Sequence, residues 1–445
     1  MLKRLISKLK RSPAADVEII PRKAHGISRS QISENAIKVL YRLKKAGYQA
    51  HLVGGGVRDL LVGQEPKDFD IVTDARPEQV HKLFRNSRLI GRRFRLVHVV
   101  FGRDVIEVAT FRGHHENAKG QKHASQNDTG MLLRDNVYGT IDEDAMRRDF
   151  TVNALYYDIS DFSVRSYAGG IQDLNAGVIK LIGDPETRYR EDPVRMLRAV
   201  RFAAKLGFKI EENTLSPIPE LASLLKDIPA ARMFEEVLKL FMAGQAMETF
   251  ELLERYGLFA QLFPHTQQCI DDNTLYRTLL VEAFKNSDER IAQGKSLTPA
   301  FIYAVFLWPC MIETAKTLEQ QGVPATPAMH QAATEVLAQQ QHRTAVPKRF
   351  VIAIRDIWDM QRRLVKRTPK QIESVYQHER FRAAYDFLLL REQAGEALNG
   401  AGSWWTRYQQ ENPKDHRPKK AGRHRESTGA KRRHSGRGPR RRQPQ

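Results

Sequence analysis

Cysteine is almost absent from this 445-residue chain, which contains only Cys269 and Cys310. Their spacing fits neither a metal site nor a redox motif, which argues against a zinc ribbon and a disulfide framework. A reducing compartment follows, and the cytoplasm is the expected location. Long hydrophobic runs are also absent: the longest, residues 301–312, contains Pro309 and falls short of the roughly 20 residues that span a bilayer. The sequence therefore predicts no transmembrane segment.

Positive charge is abundant and unevenly distributed. The formal net charge is +20, of which residues 407–445 carry +11 and residues 1–30 carry +6, leaving +3 on the rest of the chain. Two basic ends on a nearly balanced globule favour a polyanionic partner, and nucleic acid is the first candidate.

The first eleven residues place Leu2, Leu5, Ile6 and Leu9 on one helical face and lack the apolar segment of a signal peptide. Two interpretations stay open, a flexible basic arm and a weak contact with a membrane surface. The arm is favoured because one short amphipathic helix binds membranes marginally.

Hydrophobic periodicity divides the chain into two halves. Up to about residue 181, short β-branched runs alternate with helical segments, which predicts an α+β domain. From Asp192 onward the strand signals disappear and helices are expected, the first of them N-capped by Asp192, begun by Pro193 and ended by Gly207. The strand predictions are 49–53, 69–72, 96–101 and 105–110, with early helices at 32–46, 57–61 and 77–84.

A glycine-rich turn is the most informative local feature. Residues 51–61 read His-Leu-Val-Gly-Gly-Gly-Val-Arg-Asp-Leu-Leu, so a strand runs into three glycines and a helix follows. Bare N–H groups at a helix N-terminus bind phosphate. The turn is neither a P-loop nor a dinucleotide fingerprint, since it lacks Gly-Lys-Ser/Thr and has Asp59 where the last glycine would be. A tight strand-to-helix turn alone requires the same glycines, so both interpretations stay open.

Paired carboxylates follow the turn. Asp68 and Asp70 are two residues apart in a predicted strand, so both point to one face and require cations. A calcium loop is excluded because Val72 and Thr73 occupy two of its defining positions. Glu107 lies between apolar residues of another strand; it is either a solvent-facing residue or the third carboxylate that two Mg²⁺ ions would require.

These segments resemble the first motif of the class II template-independent nucleotidyltransferases of the polymerase β superfamily, which comprise tRNA CCA-adding enzymes and bacterial poly(A) polymerases. Residues 147–154, Arg-Arg-Asp-Phe-Thr-Val-Asn-Ala, are similar to the second motif. Residues 191–202, Glu-Asp-Pro-Val-Arg-Met-Leu-Arg-Ala-Val-Arg-Phe, are similar to the nucleotide-selecting helix. The resemblance covers residues 51–208 and is looser beyond about residue 260.

The resemblance implies an architecture. We expect a flexible basic arm (1–30), an α+β polymerase-β-like nucleotidyltransferase head (31–185), an all-α neck carrying the nucleotide-selecting helix (186–260), an all-α RNA-binding body (261–408) and a disordered Lys/Arg-rich tail (409–445).

The resemblance also implies site roles. Asp68 and Asp70 would hold two Mg²⁺ ions, and two candidates, Glu107 and Asp149, compete for the third acidic role. Asp149 has a second interpretation, as an ion-pair partner that holds an arginine in place. The residues expected to bind ATP are Gly54, Gly55, Arg58, Arg148, Asn153, Asp192, Arg195, Arg198 and Arg201.

Asp192 and Arg195 match the pairing edge of adenine, which offers an amino donor and a ring-nitrogen acceptor. Cytosine offers the same pair, so the motif restricts the nucleotide to A or C without separating them. Arg198 and Arg201 fall about one turn further along and would line the phosphate-facing side, although such a stripe is also typical of a solvated helix face.

Two features favour the poly(A) polymerase branch. Residues 91–101 resemble the version of this region found there, and a basic tail suits an enzyme that accepts many RNAs. RNA 3′ ends and ATP are the expected partners, with the RNA-decay machinery as a further candidate. Trp404 and Trp405 either stack on bases or, as we favour, close a helical core. A CCA-adding enzyme and a noncatalytic RNA-binding protein are the alternatives.

Overall fold

Two classes of element divide the chain. The computed structural model describes residues 17–91, 95–113, 124–126, 132–135 and 137–413. The strands are β1 (Glu18–Ile20), β2 (Ala50–Val53), β3 (Asp70–Thr73), β4 (Ser87–Ile90), β5 (Leu96–Phe101), β6 (Asp104–Thr110), β7 (Ala124–Gln126), β8 (Leu132–Asp135), β9 (Leu155–Asp158), β10 (Val164–Ser166), β11 (Val178–Ile179) and β12 (Lys209–Ile210).

The α-helices are α1 (Glu34–Lys45), α2 (Gly55–Leu61), α3 (Pro77–Leu83), α4 (Ile141–Met146), α5 (Gly170–Ala176), α6 (Pro185–Glu191), α7 (Val194–Leu206), α8 (Glu212–Leu215), α9 (Ile218–Leu221), α10 (Ala230–Phe241), α11 (Ala246–Arg255), α12 (Phe259–Leu262), α13 (Pro264–Asp272), α14 (Thr274–Ala292), α15 (Pro299–Gln320), α16 (Ala325–Gln341), α17 (Lys348–Lys366), α18 (Pro369–Tyr376), α19 (Phe381–Gln393) and α20 (Ala401–Glu411).

One mixed sheet forms the head, with the strand order β1-β10-β9-β2-β3-β6-β5-β4. All neighbours in it are antiparallel except β3 and β6, which run parallel. Alternation explains its buried face: Val97 and Val99 on β5, and Ile106 and Val108 on β6, are buried. The strand and helix predictions for the head are confirmed to within a few residues.

Helices form most of the rest of the described chain, as predicted. Helix α7 ends at Gly207, whose φ of 66° lies in the left-handed region that glycine adopts readily. One continuous core connects the sheet to these helices, and a smaller core between α17 and α20 includes Leu364 and Trp405. Trp405 is fully buried and donates its indole N–H to the Leu364 carbonyl at 2.9 Å, which confirms the packing interpretation for this tryptophan.

Helix α15 passes through Pro309 without interruption. Among the described helices, α15 is long and apolar enough to cross a membrane by length and composition, but 67% of its apolar window is buried inside the protein. It packs as a core helix against its neighbours.

Two predicted boundaries and one predicted all-helical region differ from the structure. Residues 18–20 form β1 rather than part of a flexible arm, because Ile19 and Ile20 extend the sheet by pairing with β10. The helical half contains the short strand β12, which pairs with β11. Helix α20 continues to Glu411, past the predicted end of the body. Residues 1–16 and 414–445, which include most of the arm and the tail, lie outside the described residues.

Candidate active site

The glycine turn joins β2 to α2. Gly54 caps the helix with a φ of 76°, which side chains with a Cβ rarely adopt. Gly56 lies against the main chain that carries the first carboxylate, because a Cβ at this position would meet the Asp68 carbonyl oxygen at 3.1 Å. The turn therefore brings bare backbone to the start of β3.

Two carboxylates meet on the parallel strand pair. Asp70 and Glu107 are register partners on β3 and β6, so their side chains share one face of the sheet. We had expected Asp68 to lie within a strand, but it lies two residues before β3. Glu107 accepts a hydrogen bond from His98 on β5, with Nε2 and Oε1 3.1 Å apart.

The pKa of Asp70 is raised. Crowding by protein and the negative charges of Glu107 and Asp68 raise it from 3.8 to about 6, against the opposing effect of Arg148. The side chains of Asp68 and Asp70 make no hydrogen bond or ion pair with any residue that the structure describes. Such unpartnered, mutually repelling carboxylates are the donor set that a divalent cation stabilises.

The three carboxylates do not form a preassembled metal cage. Within the described ranges, no three His, Cys, Asp or Glu side chains are gathered closely enough to enclose an ion.

Arg148 reaches the glycine turn from the segment after α4. Its terminal nitrogen lies 3.5 Å from the position of a Cβ on Gly54. Nε donates to the Tyr156 hydroxyl at 2.8 Å, and the guanidinium contacts Asp144 at 3.1 Å. Burial lowers the pKa of Arg148, but Tyr156 and Asp144 outweigh this effect and hold it above its ordinary value. A permanent positive charge therefore lies beside the phosphate cradle.

Asp149 lies in a buried hydrogen-bond network instead. It accepts from Arg198 Nε at 2.6 Å and from the Asn153 amide at 3.2 Å. Burial alone would raise its pKa, yet the charge of Arg198 and the hydrogen bonds from Asn153, Arg198 and the Phe150 N–H hold it well below the ordinary value. This arrangement is that of an ion pair joining the second motif to the nucleotide-selecting helix.

Arg58, which we expect to bind the nucleotide, belongs to the same network. It is 1% exposed, donates to Asn153 Oδ1 at 2.6 Å and to Asp59 at 2.6 and 2.9 Å, and stacks on Phe202. Asp59 also contacts Lys205 of α7 at 2.7 Å. Helix α2 of the head is therefore anchored to α7 of the neck by charged contacts.

We had expected Asp192 to be the N-cap of helix α7, but it lies one residue before the N-cap. Both of its carboxylate oxygens accept from Arg232 of α10, at 2.8 and 2.9 Å, and the N-cap of α7 is Pro193. A bidentate arginine contact fixes the carboxylate in one orientation. The backbone N–H of Arg195 donates to the Asp192 carbonyl.

Arg195 and Arg201 both lie on α7 but in different surroundings. The Arg195 guanidinium donates to Glu191 at 2.9 Å and to the Arg188 carbonyl at 2.6 Å. Arg201 lies over the Phe202 ring, and burial together with the neighbouring Arg198 lowers its pKa to about 10. The three arginines of α7 are thus partly buried rather than a fully solvated stripe.

Sequence reasoning missed two arginines. Arg188 donates to the carbonyls of Arg147 and Arg148, both at 2.7 Å, and so supports the second motif through its backbone. Arg232 holds Asp192 from a helix 40 residues away in the chain. Neither has a sequence signal, because one contacts only main-chain atoms in that motif and the other becomes a neighbour only through helix packing.

The fold and site together define a template-independent nucleotidyltransferase: a mixed sheet with a glycine turn and carboxylates on β3 and β6, followed by helices. The solved structure of Bacillus stearothermophilus CCA-adding enzyme in complex with CTP is similar, with a TM-score of 0.50, 25% identity and coverage of 84% of this chain and 82% of that one.

Sequence comparison separates the two branches. Residues 50–180 match the poly A polymerase head domain, 207–270 the probable RNA and SrmB-binding site of polymerase A, and 321–443 the polymerase A arginine-rich C-terminus. Poly(A) polymerase I of Salmonella typhimurium is 53% identical over 89% of this chain and 86% of its own length. The CCA-adding enzyme of Lactobacillus helveticus is 35% identical over 58% of this chain and 65% of its own length.

The chain belongs to the bacterial poly(A) polymerase I family. It is therefore a polynucleotide adenylyltransferase, as the sequence predicted, and CCA-adding enzymes are its more distant relatives.

Proposed function

We propose that this protein adds AMP from ATP to RNA 3′ ends without a template, releases pyrophosphate, and acts in the cytoplasm to mark RNA for decay. The observation that carries the chemistry is the pairing of Asp70 with Glu107 on parallel strands beside the glycine turn. Cys269 and Cys310 are both free thiols, which fits a reducing compartment.

The position of each residue in the candidate active site suggests its role. The N–H groups at the start of α2 and the guanidinium of Arg148 would bind the triphosphate, since both present donors at Gly54. Asp192, fixed by Arg232, would accept the amino group of adenine. Asp149 would keep Arg198 in place through their ion pair.

Asp68, Asp70 and Glu107 would hold the Mg²⁺ ions that the family implies, because burial and the repulsion from Glu107 and Asp68 raise the pKa of Asp70 and a divalent cation would relieve that repulsion. When bound, two such ions supply activation of the 3′-hydroxyl and neutralisation of the pyrophosphate.

Tailing of an arbitrary RNA tests this function. With an RNA that lacks a CC end and each nucleotide supplied separately, we expect long homopolymeric products from ATP and poor incorporation of CTP, measured on sequencing gels. Because Asp192 and Arg195 match adenine and cytosine alike, we expect the shape of the pocket around the base to favour one of the two, whereas CCA synthesis must accept both.

A tRNA lacking its CCA end is the matched control. Addition that stops after completing CCA, with no extension of unrelated RNAs, would instead support a CCA-adding enzyme. Failure to incorporate any nucleotide would support a noncatalytic RNA-binding protein.

The dependence of activity on pH should report on Asp70. Its pKa of about 6 means that the carboxyl is neutral at lower pH and loses its attraction for cations, so kcat/KM should fall as the pH decreases through about 6. Raising Mg²⁺ favours the charged form and should move this acidic limb to lower pH, by up to about one unit per tenfold increase. An acidic limb that stays in place across a Mg²⁺ titration would show that the titrating group is not a metal ligand.

A further inference from the structure

A second cleft lies in the helical body, among α14, α15, α17 and α19. Its cavity has a volume of about 360 Å³, within the range of about 300–1,000 Å³ typical of small-molecule sites. No lining residue precedes Asn286, so the cavity shares none of the residues of the candidate active site. A smaller cavity of about 210 Å³ adjoins it and shares Arg290, Arg382 and Asp386.

The lining of this cleft is mixed in chemistry. Leu297, Phe301, Phe350 and Ile357 contribute apolar surface to the lining, and the half-buried Phe350 ring stacks on Phe234 at 6.0 Å and carries the guanidinium of Arg349 at 4.7 Å from its centre. Flat apolar surfaces with an arginine beside them are the surroundings in which nucleic-acid bases stack.

The lining also contains a carboxylate between two arginines. Asp386 lies 3.0 Å from Arg382 Nε and 3.6 Å from Arg290. Arg382 is 69% exposed and, among the described residues, uses only Nε in hydrogen bonds. A carboxylate that accepts from an exocyclic amino group, next to a guanidinium that donates to a ring nitrogen, complements the pairing edge of adenine.

Charge also favours a nucleotide. Four arginines line the cavity, Arg290, Arg349, Arg380 and Arg382, against two acids, Glu379 and Asp386. This excess of positive charge at the rim suits the phosphates on either side of a base held in the cavity.

We propose that this cleft binds one adenosine of the RNA strand, upstream of the growing 3′ end, so that the enzyme holds the poly(A) tail that it has made. The inference rests on the proposed function for its ligand. The carboxylate and guanidinium alone would also accept cytosine, and the apolar part of the lining favours the larger stacking surface of the purine.

The test is binding of fluorescently labelled twelve-nucleotide oligo(A) and oligo(U) to the full chain, measured by anisotropy without ATP. Ala383→Leu places a larger side chain in the cavity, and it should weaken oligo(A) binding about tenfold while oligo(U) stays within about twofold, since one stacked base is lost. Arg382→Gln should reduce the preference for oligo(A) in the same direction.

Matched controls lie outside the described cavities. Ala325→Leu introduces the same change at a half-exposed alanine, and Arg103→Gln removes the same charge from an exposed arginine of the head; both should keep the oligo(A) preference. Thermal unfolding of each variant confirms that it folds.

Three outcomes would overturn the proposal. The first two are unchanged oligo(A) binding by a folded Ala383→Leu variant and an equal loss of oligo(A) and oligo(U) binding. The third is that millimolar ATP competes with oligo(A) and that this competition is lost in Ala383→Leu, which would make free nucleotide the ligand. Because the assay contains no ATP in its main arm, its result is independent of whether the active site performs the proposed chemistry.

Discussion

Asp70→Asn should lower the rate of AMP addition by at least about a thousandfold, or about 4 kcal/mol of transition-state stabilisation. Binding of ATP and RNA should stay within about threefold, because the carboxylate acts on metal ions and the transition state more than on ground-state affinity. Single-turnover kinetics with a labelled primer measure the first quantity, and equilibrium binding measures the second.

The isosteric change at Asp70 also removes the repulsion from Glu107 and Asp68 that raises its pKa. We therefore expect the variant to be at least as stable as the unmodified protein at neutral pH, which excludes unfolding as the cause of lost activity. Asp227→Asn, the same substitution at an exposed position, is the matched control. A near-normal rate for Asp70→Asn would remove the active-site assignment.

Glu107→Gln and Asp149→Asn should give different phenotypes. Glu107 faces Asp70 and is exposed, so its neutralisation should reduce kcat by about a hundredfold and raise the Mg²⁺ concentration required for half-maximal rate. Asp149 neutralises Arg198 inside the protein, so Asp149→Asn should destabilise the fold by about 2 kcal/mol and act mainly on the KM for ATP.

A Mg²⁺ titration of both variants, together with their thermal unfolding, separates the two roles. If Asp149→Asn changes the Mg²⁺ requirement while Glu107→Gln changes only the KM for ATP, then Asp149 is the third catalytic acid.

Periodicity and turn chemistry were sufficient to predict most elements. The strands at residues 96–101 and 105–110 were predicted within one residue, because β-branched alternation between turns admits few other structures. The helix ending at Gly207 was predicted from its cap. Local signals failed where an element forms only by pairing with a distant strand. Strand β1 is the example, because nothing in its own sequence indicates that it pairs with β10.

In the candidate active site, too, local signals predicted some features and long-range packing decided others. The glycine turn and the paired Asp68 and Asp70 were indicated by local geometry, a strand-to-helix turn and a two-residue repeat, whereas the role expected of Glu107 came from the family resemblance. What the sequence could not decide was which arginines face the cleft and which are buried. Arg58 and Arg148 look alike in their motifs, yet Arg58 is buried against Asn153 and Asp59, whereas Arg148 lies at Gly54.

The sequence by itself determined the glycine turn, the paired carboxylates and the basic ends, which follow from residue type and short spacing, and the resemblance of these motifs to a known family indicated the chemistry. The tertiary structure alone decided the long-range partners of several charges, including Arg232 on Asp192, Arg198 on Asp149 and Arg290 on Asp386. The reason is physical. A charge in a partly buried position takes its partner from whichever element packs against it, and packing between distant elements depends on the whole core rather than on any short stretch of chain.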